Sequence, residues 1–347
     1  MTRYLNPFLE AFFLTVFFAM IAIPLAKKIS WRKREDKRHI HQKEVFRIGG
    51  IIMTLAFVLT VLLNKDLVMT SELSGFLIAS IILLVVGVWD DIKELFWKIQ
   101  LFFQMAVSFF VFIFGVRIYC ITNLFSGGII NLDLGNTVLI SLVLVVFWVV
   151  FVINAINWVD GVDGLSGGIS LISIATIFFL SFRPEVNQPP VAIIASALMG
   201  TILGFLVLNF NPARILAGTS GAMFLGFSVA VLAIFSGTKI ATASLVLTIP
   251  IVDLIWVIGE RIKNKKSIFE ADKNHLHHKL LEIGWSQRKI ALYYYVITII
   301  ISFVALNTKA FGKGIALLIS VLIMFLACLM IKKRIIQLKN TKPRLQK

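Results

Sequence analysis

Residues 137–165 read TVLISLVLVVFWVVFVINAINWVDGVDGL. The stretch 137–154 is almost wholly apolar and comes close to the roughly 20 residues a helix needs to cross the hydrocarbon core of a bilayer. Polar residues then recur at every third position as Asn154, Asn157, Asp160 and Asp163. At helical spacing Asn154, Asn157 and Asp160 fall within about 120° of one face. Gly161 and Gly164 suit a backbone turn just beyond them. Polar side chains at membrane depth are costly and usually face a cavity or a partner helix. Helix–helix hydrogen bonding or a helix-end cap accounts for one or two of the four. All four together point to a site at the end of a membrane span.

The rest of the chain repeats the apolar theme. Of 347 residues, 59% are hydrophobic and 15% charged, with a mean hydropathy of +0.92. A water-exposed exterior could not be covered by so few polar groups. Reading in span-length windows places apolar segments near 8–26, 47–64, 74–88, 98–115, 137–154, 165–182, 190–208, 221–235, 239–258, 290–306 and 311–331. The first is read as a retained span, because it leads into Lys27 and Lys28 with no small-residue cleavage site. Long continuous runs exclude an outer-membrane barrel, whose strands alternate. The expected fold is an all-α polytopic membrane protein of about 11 transmembrane helices, a single domain over 1–347 with a basic tail at 332–347.

Net charge is +16, and its placement matters more than its size. Nine Lys/Arg lie in 27–47, eight in 259–289 and seven from Lys332 onward; with Lys93, Lys98 and Arg214 these hold 27 of the 34 basic residues on one face. The positive-inside rule then puts the N-terminus outside and the C-terminus in the cytoplasm. Nucleic acid is not needed to explain the charge. Cys120 and Cys328, in an outer loop and the last span, form neither a disulfide framework nor a metal set. All five histidines, His39, His41, His275, His277 and His278, fall in the two large cytoplasmic loops.

Four further constellations face that side. Asp90 and Asp91 follow the third apolar segment directly; two adjacent acids suit a hard cation shared with substrate phosphates, although an isolated pair also reads as solvated loop charge. Asn274-His275-Leu276-His277-His278-Lys279-Leu280 opens a short amphipathic helix with Leu276, Leu280 and Ile283 on one face and Gly284 as its terminator. On that helix His275 and His278 share a flank and His277 lies apart. Donors to a diphosphate fit this set better than zinc, which lacks a completing Cys or His-Glu-x-x-His pattern; a basic helix on anionic lipid is the plainer alternative. In Asn209-Phe-Asn211-Pro212-Ala-Arg214-Ile-Leu-Ala-Gly218-Thr219-Ser220-Gly221 a Gly/Ser turn enters a helix, where backbone N–H groups favour a phosphate. Lys43 and Arg47 precede Gly49-Gly50 at the start of the second segment, a pattern shared with ordinary positive-inside flanking. A transporter would concentrate its polar residues near the membrane midplane, so a catalytic surface on the inner leaflet is the better reading.

Taken in order, Asp90-Asp91, the Asn-x-x-Asn-x-x-Asp-Gly-x-Asp-Gly-Leu stretch 154–165, Ile249-Pro250-Ile251-Val252-Asp253 and Asn274-His-Leu-His-His278 resemble the polyprenyl-phosphate N-acetylhexosamine-1-phosphate transferases, the family of MraY and of the WecA and TagO enzymes. The resemblance runs from about residue 37 to 290, and the His-Leu-His-His form is similar to the WecA/TagO branch. It implies UDP-N-acetylglucosamine as donor, undecaprenyl phosphate as acceptor, Mg²⁺ (or Mn²⁺) as cofactor and UMP as product, with a homodimer left open. It places Asp90 and Asp91 beside the acceptor phosphate, Asn157, Asp160 and Asp163 at the metal and nucleotide site, Asn209 at a uridine contact, and His275, His277 and His278 on the donor phosphates. Lys43, Arg47 and Asn154 join the substrate-binding set.

Two positions depart from the family pattern. Phe46 stands where the branch usually has Pro, and Thr219 stands where the family carries an aspartate that ligates Mg²⁺. A neutral hydroxyl is a poor replacement for a carboxylate. The rival readings are therefore a muramoyl-pentapeptide transferase with the same chemistry, a catalytically impaired family member, and a binder or transporter of lipid-linked sugars.

Overall fold

The computed structural model describes residues 1–28, 45–122, 128–132, 135–237, 239–268 and 274–341. In chain order the elements are α1 (Thr2–Lys28), α2 (Gly49–Leu63), α3 (Ser71–Lys93), α4 (Trp97–Ile113), β1 (Cys120–Thr122), β2 (Ile129–Asn131), α5 (Thr137–Val159), α6 (Leu165–Ser181), α7 (Pro189–Asn209), α8 (Gly218–Phe235), α9 (Ile240–Val246), α10 (Thr248–Lys263), α11 (Leu276–Glu282), α12 (Gln287–Asn307) and α13 (Ala310–Thr341). Among the described residues, seven helices are long and apolar enough to cross a membrane, or eight if the bent pair α9–α10 is one span. Helices α2, α4 and α6 are apolar but shorter. Every apolar window read from the sequence falls on a helix or on that bent pair. The chain is a multi-pass membrane protein.

One expectation needs correction. The segment 239–258 is not one continuous span, because α9 and α10 meet at a 75° bend. Pro250 explains where the break falls. It sits in the first turn of α10, where its missing N–H costs nothing, whereas a helix running through it would lose a bond and clash. The fold is all-helical as expected, apart from a short loop hairpin between α4 and α5 in which β1 and β2 pair antiparallel, Ile121 opposite Ile130.

Helix α8 is the axis of the bundle, 89% buried over its apolar window, against 17% for α1 and 11% for α13. Helices α2, α3, α5 and α6 pack around it. Glycines allow the close approach at its start: a Cβ on Gly50 or Gly87 would lie 2.3 Å from Gly221 or Ser220 atoms. Beside it, the strand-like segment before α2 docks onto the segment before α8. Leu216 N–H donates to the Phe46 carbonyl at 2.9 Å, Gly49 N–H to Leu216 at 2.9 Å and Gly50 N–H to Ala217 at 3.1 Å. These bonds carry Arg47 to the end of α3. The outward faces of α1, α12 and α13 expose large apolar side chains such as Phe17, Phe303 and Leu318, as a bilayer requires.

Candidate active site

The last turn of α3 meets the first turn of α8. Asp91 is buried and receives the Thr219 N–H on Oδ1 at 2.9 Å, with the Ser220 N–H at 3.2 Å and hydroxyl at 2.9 Å on Oδ2. Arg47 Nη1 lies 3.6 Å from Oδ1. Gly218 (φ +68) closes the turn, and a Cβ there would come within 2.5 Å of Oδ2. The carboxylate thus fills the anion position that the Gly/Ser turn offers. The sequence had suggested a phosphate at that turn, and this is a correction: the protein supplies its own anion to the free N–H groups and positive dipole end of α8.

Asp90 points the other way. Its Oδ1 accepts from Leu95 N–H and Gln100 Nε2, both at 2.8 Å, and Oδ2 accepts the Thr219 hydroxyl at 2.6 Å. Asp90 also lines a cleft of about 900 Å³ between α3, α4, α5 and α10. Its walls are mostly apolar, among them Phe96, Leu101, Phe147 and Ile258, and its polar lining includes Asp90, Gln100, Gln104, Asn154 and Asn157. Asn154 Nδ2 donates to Gln104 Oε1 at 2.6 Å and to the Val150 carbonyl at 2.8 Å, so it joins α5 to α4 as well as lining the cleft. Asn157 lines the cleft beside it.

Beyond α5 the chain turns through Asp160–Gly164. Asp160 accepts from the Ser166 hydroxyl, and burial pushes its carboxyl up to about 6. Asp163 Oδ2 accepts from Asn211 Nδ2 at 2.9 Å and Ala213 N–H at 3.1 Å, pinning the loop after α7. Asn209 is buried and spends both ends of its amide on backbone, accepting from Gly164 N–H at 3.0 Å and donating to the Ile215 carbonyl at 2.8 Å. Gly164 takes φ +77, as its place in the turn suggested; Gly161 instead makes room, since a Cβ there would lie 2.2 Å from His277 Nε2.

That approach joins the histidines to the acids. Asp253, buried on α10, holds the start of α11: His275 Nδ1 lies 2.8 Å from Oδ2, and Leu276 N–H donates to Oδ1 at 2.7 Å. Trp158 stands edge-on to His275 with centroids 5.6 Å apart, and Arg261 sits 4.7 Å over the Trp158 ring. His277 does not lie apart. Its ring is 5.6 Å from His275 and 4.3 Å from His278. Helical-wheel reasoning misplaced it because His275 is extended at the N-cap (φ −61, ψ 146), outside the helix. His277 is 1% exposed, both its ring nitrogens lack a protein partner, and burial holds its basicity well below the usual histidine range.

Lys43 lies outside the described residues. Arg47, Asp90, Asp91 and Thr219 form one group; Asp160, Asp163 and Asn209 form a second around the turn, which meets His277 at Gly161. Asp253, Gln100 and Gln104 were not singled out as site residues. The two glutamines had a signal, since they are amides one helical turn apart in a largely apolar segment. Among the described residues no group of three or more His, Cys, Asp or Glu is assembled to hold a metal. Oxygen donors of the kind a hard cation takes, alongside water and substrate phosphates, are present in each group: Asp90, Asn157 and Thr219 in or beside the cleft, and Asp160 in the turn.

Residues 73–237 match the Glycosyl transferase family 4 model; the segment contains both acidic groups. The chain is 30% identical over 329 residues to a probable undecaprenyl-phosphate N-acetylglucosaminyl 1-phosphate transferase of Bacillus subtilis, covering 91% of this chain and 89% of that relative. It is 30% identical over 336 residues to a decaprenyl-phosphate N-acetylglucosaminephosphotransferase of Mycobacterium leprae, covering 88% and 83%. A phospho-N-acetylmuramoyl-pentapeptide-transferase of Campylobacter lari is 26% identical over 337 residues, covering 85% and 92%. With its acids, amides and histidines gathered at the helix ends in the order seen in the sequence, this chain belongs to glycosyl transferase family 4, the membrane family of polyprenyl-phosphate N-acetylhexosamine-1-phosphate transferases.

Proposed function

We propose that the chain transfers N-acetylglucosamine-1-phosphate from its UDP-sugar to undecaprenyl phosphate, releasing UMP, on the cytoplasmic side of a bacterial plasma membrane at the start of cell-wall or surface-polysaccharide synthesis. The observation that carries this reading is the cleft. An apolar groove suits a polyprenyl tail, its lining includes the Asp90 carboxylate and the Asn157 amide, and Trp158 lies between it and His275.

In the reaction an oxygen of the acceptor phosphate attacks the phosphorus bonded to the sugar, and the bond from that phosphorus to the UMP oxygen breaks. One phosphoanhydride replaces another, so positioning and charge neutralisation dominate the rate. His275, His277 and His278 donate to the donor's phosphates, and Asp253 fixes the ring of His275. Asp90 stands beside the acceptor phosphate. Asp91, Asp163 and Asn209 serve indirectly by holding the start of α8 and the turn after α5. Asp160 and Asn157, with Asp90 and the Thr219 oxygen, would hold Mg²⁺, or Mn²⁺ in its place. Such an ion offsets the repulsion between two anionic reactants.

The full chain in nanodiscs with undecaprenyl phosphate, Mg²⁺ and UDP-N-acetylglucosamine should release UMP. Release only with UDP-N-acetylmuramoyl-pentapeptide would move the chain to the pentapeptide branch, and none with either donor would make it a catalytically impaired family member or a binder or transporter. We also propose eleven spans with the N-terminus outside. In a Cys120→Ser background, an impermeant thiol reagent should label Lys65→Cys but not Lys265→Cys in intact cells; the reverse pattern would invert the topology.

A further inference from the structure

Three consecutive tyrosines on α12 meet three different surroundings. Tyr293 is exposed, edge-on to Trp285. Tyr294 is fully buried. Tyr295 turns toward the active site: its hydroxyl donates to the Gly164 carbonyl at 2.5 Å. Its ring fills a notch at Gly168, where a Cβ would come within 2.0 Å of it. At the start of the same helix Gln287 Oε1 accepts the Asp163 N–H at 3.1 Å. Gly164, in the left-handed conformation, therefore has its N–H held by Asn209 while its carbonyl serves both Tyr295 and the Gly168 N–H. The turn that carries Asp160 and Asp163 is gripped from two sides, by the loop after α7 and by α12. Helix α12 lies outside the segment matched by the family model.

We propose that Gln287 and Tyr295 are positioning residues, which fix the 160–164 turn from α12 and so set where the Asp160 carboxylate stands relative to His277 and the reacting phosphates. The kinetic half of this inference rests on the transferase reading above; the structural half rests on the turn alone. One donor, the Tyr295 hydroxyl, and one acceptor, Gln287 Oε1, on a single glycine turn matter because a misplacement of about 1 Å near reacting groups costs on the order of a hundredfold in rate.

Tyr295→Phe keeps the ring in the Gly168 notch and removes one hydroxyl. We expect kcat to fall about tenfold, the size of one net hydrogen bond at its upper range, with KM for both substrates within about twofold and the melting temperature unchanged. Gln287→Leu should behave alike, Gln287→Glu should restore activity because it keeps an acceptor for the Asp163 N–H, and Tyr293→Phe should match the parent. Wild-type kcat in Tyr295→Phe, or a joint loss of kcat, both KM values and thermal stability, would overturn the proposal. Hydrogen exchange of the peptide spanning 160–168, followed in nanodiscs, supplies the arm independent of activity. It should quicken severalfold in Tyr295→Phe and Gln287→Leu but not in Tyr293→Phe. Equal exchange in all of them would sink the idea even if UMP release is normal, and the same arm decides it if no donor yields UMP.

Discussion

Asp90 and Asp91 sit side by side at the end of a helix, whereas Asp160 and Asp163 sit three apart in a turn, yet both pairs divide their work in the same way. Adjacent helical residues diverge by about 100°, so Asp91 enters the start of α8 while Asp90 faces α4 and the cleft. In the turn, Asp163 is consumed by Asn211 and Ala213, and Asp160 engages the Ser166 hydroxyl. In each pair one carboxylate joins distant backbone, Asp91 at Thr219 and Ser220 and Asp163 at Ala213, whereas Asp90, held locally by Leu95 and Gln100, lines the cleft and Asp160 takes a hydroxyl. The difference lies in what is held. Asp91 compensates a buried helix start at the core of the bundle, and Asp163 pins a peripheral loop.

The largest effect should come from the turn. Asp160→Asn keeps an acceptor for Ser166 but loses the charge, and UMP release should fall about 10²–10³-fold, as for other preorganised electrostatic groups. The melting temperature should stay near that of the parent; a collapse of stability would instead place Asp160 among the scaffold acids. Next comes Asp91→Ala, which strands two buried N–H donors at about 1–3 kcal/mol each. It should lower thermal stability more than Asp163→Ala does, and a parent-like melt with lost activity would mean that Asp91 serves substrate, not α8.

Thr219→Asp sharpens the contrast within the first pair. The Thr219 hydroxyl donates to Asp90 at 2.6 Å, so an aspartate would set two carboxylates against each other unless a cation lies between them. The variant should melt lower than the parent in chelator and regain stability with Mg²⁺. Its UMP release should rise up to about a hundredfold at low Mg²⁺, the scale of one active-site electrostatic element. No gain in activity and no Mg²⁺-dependent melt would show that the threonine hydroxyl is adequate.

The smallest effect concerns His277. Its folded basicity is depressed by burial first, then by His278 and His275, so below about pH 6.5 the unfolded chain binds more protons and stability falls with acidity. Wild type should therefore lose more melting temperature between pH 7.5 and 5.5 than His277→Gln. Parallel curves would mean that the buried ring does not titrate.

The sequence by itself determined where the apolar segments lie, because membrane-crossing capacity depends on the length and composition of a continuous run. It also located the acids, amides and histidines at the ends of those runs, and Pro250 was in view before the bend it explains. Only the tertiary structure decided which carboxylate would be spent on what. Asp91 finds its partners at Thr219 and Ser220, Gly164 is bound by Asn209 and Tyr295, and His275 is held by Asp253. The same is true of Thr219, whose hydroxyl is directed at Asp90. Spacing along one helix gives the face a polar group occupies, but its partner comes from whichever distant segment packs against that face. Tyr295 shows the limit most clearly: its neighbours Tyr293 and Tyr294 have the same side chain, and only the packing of α12 against α6 makes one of the three a support for the turn.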